Sequence, residues 1–118
     1  MPTPEQGRIV WAELTSPDGA KTKRRPAVIV TPTEEIDHGQ PFVVVAATTK
    51  FTEPLPDDHV LLSWNPQGKG RTRLHHPTVA VCSWICEISE EDILQYAGVV
   101  PPETLTEILD NVNRKLID

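Results

Sequence analysis

A mainly β protein with one C-terminal helix is the fold class this sequence predicts, and three observations predict it. Apolar β-formers come in short runs, AVIV (27–30), VVV (43–45) and TVAVCSWICEI (78–88), each bounded by Pro, Gly, Asp or Ser. Twelve prolines and six glycines cut the 118 residues into short pieces. One stretch alone has a helical period: Leu105, Ile108, Leu109, Val112 and Leu116 fall on one stripe near the C-terminus.

Each element follows from local chemistry. Residues 1–6 read as a loose tail. Residues 8–14 alternate imperfectly and form a first strand. Ser16-Pro17-Asp18-Gly19 is a turn signal inside a long charged loop, 15–23, which delivers Arg25 to a second strand over 25–31. TEEID (33–37) reads as one helical turn with Thr33 as its cap. A third strand spans 42–48, and KFTEPLPDD (50–58) forms an exposed loop. A fourth strand covers 59–64, and Asn65-Pro66-Gln67-Gly68-Lys69-Gly70 is a turn. The fifth strand, 78–88, is apolar on both faces: Val79, Val81 and Ile85 on one, Ala80, Cys82, Trp84, Cys86 and Ile88 on the other. Such a strand must be covered twice, by the core on one side and by the helix or a second copy of the chain on the other. Ser89 caps a turn over 89–92, a short strand over 94–96 precedes Gly98, and the helix begins at Pro102, a residue suited to the first helical position. Arg114 and Lys115 complement its dipole.

The length fits one domain over residues 1–118. No apolar run reaches the 18 residues of a membrane span, and MPTPEQG lacks the regions of a signal peptide, so a cytoplasmic protein is expected. Cys82 and Cys86 sit i,i+4 in a strand, roughly 13 Å apart, too far for a disulfide or a shared metal ion. A net charge of −6 argues against nonspecific nucleic-acid binding. The charge is nonetheless segregated. Lys21, Lys23, Arg24, Arg25, Lys69, Arg71 and Arg73 hold most of the eleven basic residues, while eight acidic residues follow from Glu87 onward. A basic mouth and an acidic helical side fit this distribution.

The segments GRIVW (7–11), RRPAVIVTP (24–32), VVVAATT (43–49), TVAVCSWICEIS (78–89) and AGVV (97–100) together resemble the MazF/PemK family of bacterial toxins, which are sequence-specific endoribonucleases. The resemblance runs through nearly the whole chain in order. It implies a small, strongly curved SH3-like barrel with a C-terminal helix, and a homodimer. It also implies cleavage of single-stranded mRNA without a cofactor or metal, and inhibition by a cognate antitoxin.

RNA cleavage without metal needs a base for the 2′-hydroxyl, a stabiliser for the charge on phosphorus and a departing 5′-oxygen. A guanidinium presents a fork of donors matched to a phosphate, and threonine can orient a phosphoryl oxygen. The resemblance gives these roles to Arg25 and Thr48. It also shows departures: where some relatives carry Arg and Asp in the fifth strand, this chain has Val81 and Ser83; where others carry a further Arg, it has Cys86. An acidic residue commonly preceding the Arg-Pro arginine is Arg24 here. Histidine is the expected substitute for the missing base, with an ordinary pKa of about 6.5. His59 opens the fourth strand, and His75 and His76 precede the fifth. The expected catalytic set is Arg25 and Thr48 with His75 and His76. Lys21, Lys23 and Arg24, on a mobile loop, with Thr49, Arg71, Arg73 and a base-stacking Trp64, are the expected RNA contacts. The runner-up reading is a catalytically silent barrel that binds RNA or protein.

Overall fold

The computed structural model describes residues 3–117, with side chains through Arg114. Six strands and a helix follow in order: β1 (Arg8–Thr15), β2 (Thr22–Ile29), β3 (Phe42–Thr48), β4 (His59–Leu62), β5 (Thr78–Ile88), β6 (Gln95–Val99) and α1 (Pro102–Ile117). One antiparallel sheet carries them in the order β4-β5-β3-β2-β1-β6, curled into a half-barrel. The expected mainly β fold with a C-terminal helix is therefore present. Of the expected helical stripe, Ile108 and Val112 are buried and Leu105 and Leu109 pack beside them. The side chains of Leu116 and Lys115 lie outside the described residues, as do Met1 and Pro2 of the expected tail.

Two apolar clusters occupy opposite faces of the sheet. Ile9, Val28, Val45, Ala47, Val60, Leu62, Ala80 and Cys82 pack toward α1. Val10, Ala12, Leu14, Ala27, Ile29, Phe42, Val44, Ala46 and Ile88 form the second cluster. Along β1, β2 and β3 the assignment alternates residue by residue, as the two-residue period of a strand requires.

Strand β5 breaks this alternation. Val45 pairs with Ile85 but Ala47 pairs with Ala80, so two steps on β3 face five on β5. The odd excess of three residues swaps the faces. Ala80 and Cys82 point toward the helix, whereas Trp84, Cys86 and Ile88 join the second cluster. This corrects the expectation that all five share one face.

Other boundaries move for local reasons. Strand β2 starts at Thr22, not at 25, because a tight turn replaces the expected long loop. Ser16 N–H donates to the Lys21 carbonyl (2.7 Å), and Asp18 accepts from the Ser16 hydroxyl and the Ala20 N–H. Those bonds hold the Asp18 carboxyl below the usual carboxylate range. Lys23 and Arg24 therefore stand on a strand. Strand β4 stops at Leu62, leaving Ser63 and Trp64 outside it. Thr33 opens a 3-10 turn rather than capping it: its hydroxyl accepts from the Gln6 N–H (3.0 Å). Gln6 also donates to the Val30 carbonyl (2.9 Å), so this part of the expected tail is anchored. Ser89 does cap its turn, exchanging hydrogen bonds with Asp92.

Gly98 lies inside β6, where the backbone of residues 71–72 comes close. A Cβ there would meet the Arg71 carbonyl oxygen at 1.9 Å. The neighbouring amides of Gly98 and Val99 donate to Thr72 and Arg71. Segment 71–76 is thereby clamped beside β6.

Candidate functional site

Arg25 and Thr48 come to one face of the sheet. The β2–β3 pairing ends at Ala27 and Ala46, and Arg25 and Thr48 each lie two residues beyond that last pair. Both have the parity of the second cluster. The Arg25 guanidinium carbon lies 4.9 Å from the centre of the Trp84 ring. Trp84 is itself fixed, since its indole N–H donates to the Thr15 carbonyl (3.1 Å). The β5 bulge is what delivers this ring to the Arg25 side; regular alternation would turn it toward the helix. Half-buried Arg25 carries a buried Nε without a hydrogen-bond partner among the described residues. A guanidinium stacked on an aromatic ring is suited to receive a phosphoryl oxygen through its fork. Sequence reasoning misses Trp84 in this role, because no local signal in β5 announces the swap of faces.

Positive charge gathers beside this pair. The pKa of exposed Lys23 is lowered chiefly by Lys50, then by Lys21, with slight burial and Arg25 adding to the effect. Four cations thus crowd the end of the β2–β3 pair. Lys21 and Lys23 belong to the expected RNA contacts; Lys50 adds to them.

The rest of the expected site faces the other way. A cleft of about 570 Å³ is lined by Trp11, Arg24, Thr49, Arg73, His75 and His76, together with Gln95 and the clamped 71–76 segment's Leu74. This size falls within the roughly 300–1,000 Å³ of small-molecule sites. Arg24 lies over Trp11, 5.2 Å from the ring centre, and also donates to Gln95. Arg73 reaches the cleft from a left-handed backbone (φ 59°). His75 packs against Gly68, where any Cβ would collide with the imidazole at 2.4 Å. His75 and His76 are thus separated from Arg25 and Thr48 by the sheet, and the expected four-residue catalytic set is divided between its faces. Arg71 is exposed, and Trp64 (44% exposed) stands outside the cleft lining.

Cys82 and Cys86 are free thiols, and burial pushes the Cys86 thiol up. Among the described residues, no three His, Cys, Asp or Glu side chains are grouped to hold a metal ion. No described helix is long and apolar enough to cross a membrane.

Residues 5–116 match the family of PemK-like, MazF-like toxins of type II toxin–antitoxin systems. The chain belongs to this family. No curated protein matches it significantly. Among solved structures it is similar to MazF (Form-I) from Deinococcus radiodurans, with TM-score 0.77, 16% identity and full coverage of both chains. An endoribonuclease from a mycobacterial species superposes with TM-score 0.69 at 20% identity, over 98% of this chain and 93% of that one. Another mycobacterial endoribonuclease, in complex with its cognate antitoxin, gives TM-score 0.71 at 19% identity, over 97% and 95% of the two chains. At these identities the structural matches speak for the fold, while the family match covers almost the entire sequence.

Proposed function

We propose that this protein is the toxin of a type II toxin–antitoxin pair and cleaves single-stranded RNA at a phosphodiester held between Arg25 and Thr48. The observation that carries this reading is the stacking of the Arg25 guanidinium on Trp84, on the face of the sheet to which Thr48 belongs by strand parity. Arg25 stabilises the charge that develops on the phosphoryl oxygens, and the Thr48 hydroxyl orients them. The ribose 2′-hydroxyl attacks, leaving a 2′,3′-cyclic phosphate and a 5′-hydroxyl. This reaction calls on no metal or cofactor.

Lys21, Lys23 and Lys50 bind phosphates on the catalytic face. Arg24, Thr49, Arg73, His75 and His76 hold flanking nucleotides in the cleft, so the strand bends around the end of the β2–β3 pair. Arg71 and Trp64 contact RNA further along. A cognate antitoxin is the natural partner, as in the mycobacterial relative solved with one. The protein works in the cytoplasm, where mRNA is found.

A homodimer is part of the proposal, for a reason different from the doubly apolar fifth strand. Both faces of β5 are largely covered within one chain, and Val79 is wholly buried. The apolar side chain left open on that side is Leu61, 50% exposed, the cross-strand partner of Val79. Light scattering at micromolar concentration should give twice the chain mass; a monomer alone would remove this part.

The deciding experiment is incubation of the purified protein with mixed-sequence RNA in EDTA, followed by analysis of the fragment ends. Cyclic phosphate ends at a recurring sequence are expected. RNA that is bound but never cut would instead support the silent-barrel reading.

A further inference from the structure

We infer that His59, held by Asp58, is the general base of the cleavage proposed above, on which this inference rests. Val81 and Ser83 stand where some relatives carry an arginine and a carboxylate, and the carboxylate that β5 does carry, Glu87, pairs with Val43, which packs with the helix-side cluster. His59 is the cross-strand partner of Val81. Val60 and Ala80, the neighbouring pair, both point toward the helix. His59 and Val81 consequently belong to the opposite face. Thr48 pairs with Val79 on that same face, and Arg25 shares the parity of Ala27 and Ile29, which pack on it. His59 therefore shares a face with the proposed phosphate grip, whereas His75 and His76 do not.

The imidazole is fixed in place. Its Nδ1 lies 3.0 Å from Asp58 Oδ1, and both side chains are only 21% exposed. The Asp58 backbone is tied to β5, since its carbonyl accepts from the Cys82 N–H at 2.8 Å. In the neutral tautomer that donates Nδ1–H to the carboxylate, Nε2 holds the lone pair, the arrangement that orients a catalytic histidine. β5, which pairs with β4, faces the ring with apolar Val81, and α1 lies on the other side of the sheet. Asp58 is a charged group that touches the ring. In a regular sheet two strand spacings and two residues put the Cα atoms of Thr48 and His59 roughly 12 Å apart. Their side chains and one nucleotide fill that span.

In the step itself, neutral His59 takes the 2′-hydroxyl proton. The 2′-oxygen forms its bond to phosphorus, and the bond from phosphorus to the 5′-oxygen breaks. The leaving oxygen takes a proton from water, and His59 returns its own proton to the hydroxide that remains.

The test is single-turnover cleavage of an RNA oligonucleotide across pH, with binding of its 2′-deoxy analogue measured in parallel. Wild-type cleavage should rise with pH along an acid limb, the signature of a general base. His59→Gln should lose about 10²–10⁴-fold in rate and lose that limb, yet bind the analogue normally. Asp58→Asn should keep the limb but move it. His75→Gln and His76→Gln should leave it in place. A His59→Gln protein that cleaves at the wild-type rate overturns the inference while the proposed function stands. If His59→Gln fails to bind the analogue, Asp58→Asn decides, and an unmoved limb overturns the inference. If wild-type protein cuts no RNA while binding it, the proposed function falls and the inference with it.

Discussion

Arg24 and Arg25 are adjacent in sequence, both stack on a tryptophan, and both sit at the same end of the sheet. They nevertheless serve opposite faces. Arg25 lies on Trp84 on the face of Thr48, and Arg24 lies on Trp11 in the cleft with Thr49, His75 and His76. Their guanidiniums also differ in freedom. Arg24 is exposed and already bonded to Gln95, while half-buried Arg25 keeps an unpartnered Nε. Under the proposed function two like residues divide the work, one at the reacting phosphate and the other holding what flanks it. A two-residue strand period makes this division automatic for any neighbouring pair.

The sharpest way to break the comparison is to remove each arginine in turn. Arg25→Ala should lower the cleavage rate constant by about 10²–10³-fold, the loss typical of a missing oxyanion donor. Arg25→Lys should recover little, because an ammonium lacks the planar fork. Arg24→Ala should instead weaken substrate binding by about 1 kcal/mol and leave the rate at saturating RNA nearly unchanged. Single-turnover kinetics over a range of protein concentration separates the two. Equal effects of both substitutions on the rate constant would end the division of labour.

The cleft depends on a clamp, and Gly98 is its weakest point to substitution. Gly98→Ala forces a methyl into the Arg71–Thr72 backbone. It should destabilise the protein by at least about 1–3 kcal/mol, the usual cost of overpacking, read from urea unfolding. An unchanged midpoint would show that segment 71–76 yields freely.

How much of this the sequence discloses depends on how local the cause is. The strands announce themselves through β-formers between Pro and Gly, and α1 through its stripe and Pro102. Arg25 and Thr48 are identified because a family pattern names them, and strand parity then puts them on one face. What stays hidden is nonlocal. The face of Trp84 is set by three extra residues opposite Val45–Ala47, which no property of β5 alone reveals. The separation of His75 from Arg25 follows from Gly68 and Gly98 steering a loop back to β6. The Asp58–His59 contact is between sequence neighbours, yet its significance comes only from the face β4 turns toward Thr48. Charge misleads in one place: Lys23 and Arg24 look like loop residues, but an exposed strand end tolerates them equally well.

Arg73 gives a smaller test, in which stability and binding should respond separately. Its left-handed backbone costs a non-glycine residue about 1 kcal/mol. Arg73→Gly should relieve that strain but raises the entropy of the unfolded chain, so net stability should change by well under that amount. RNA affinity should fall, because the cleft loses a cation. Unaltered affinity would remove Arg73 from the binding surface.

The smallest effect belongs to Lys23, and it sharpens the picture of the catalytic face. Lys50 and Lys21 disfavour its charged form, so the free protein releases this proton more easily than an ordinary lysine would. A bound phosphate reverses the balance by favouring the ammonium. RNA binding should therefore take up protons as pH rises toward the lysine range, and affinity should begin to fall at lower pH than for an isolated lysine contact. Lys23→Gln should abolish that component. It should also reduce the slope of log affinity against log salt by a little under one, about 0.7 for a single strand. A double change of Lys23 and Lys50 to Gln should reduce the slope about twice as much if each contacts a separate phosphate. If the double variant loses no more than Lys23→Gln alone, one phosphate is shared between them, and the cluster would then position a single group beside Arg25.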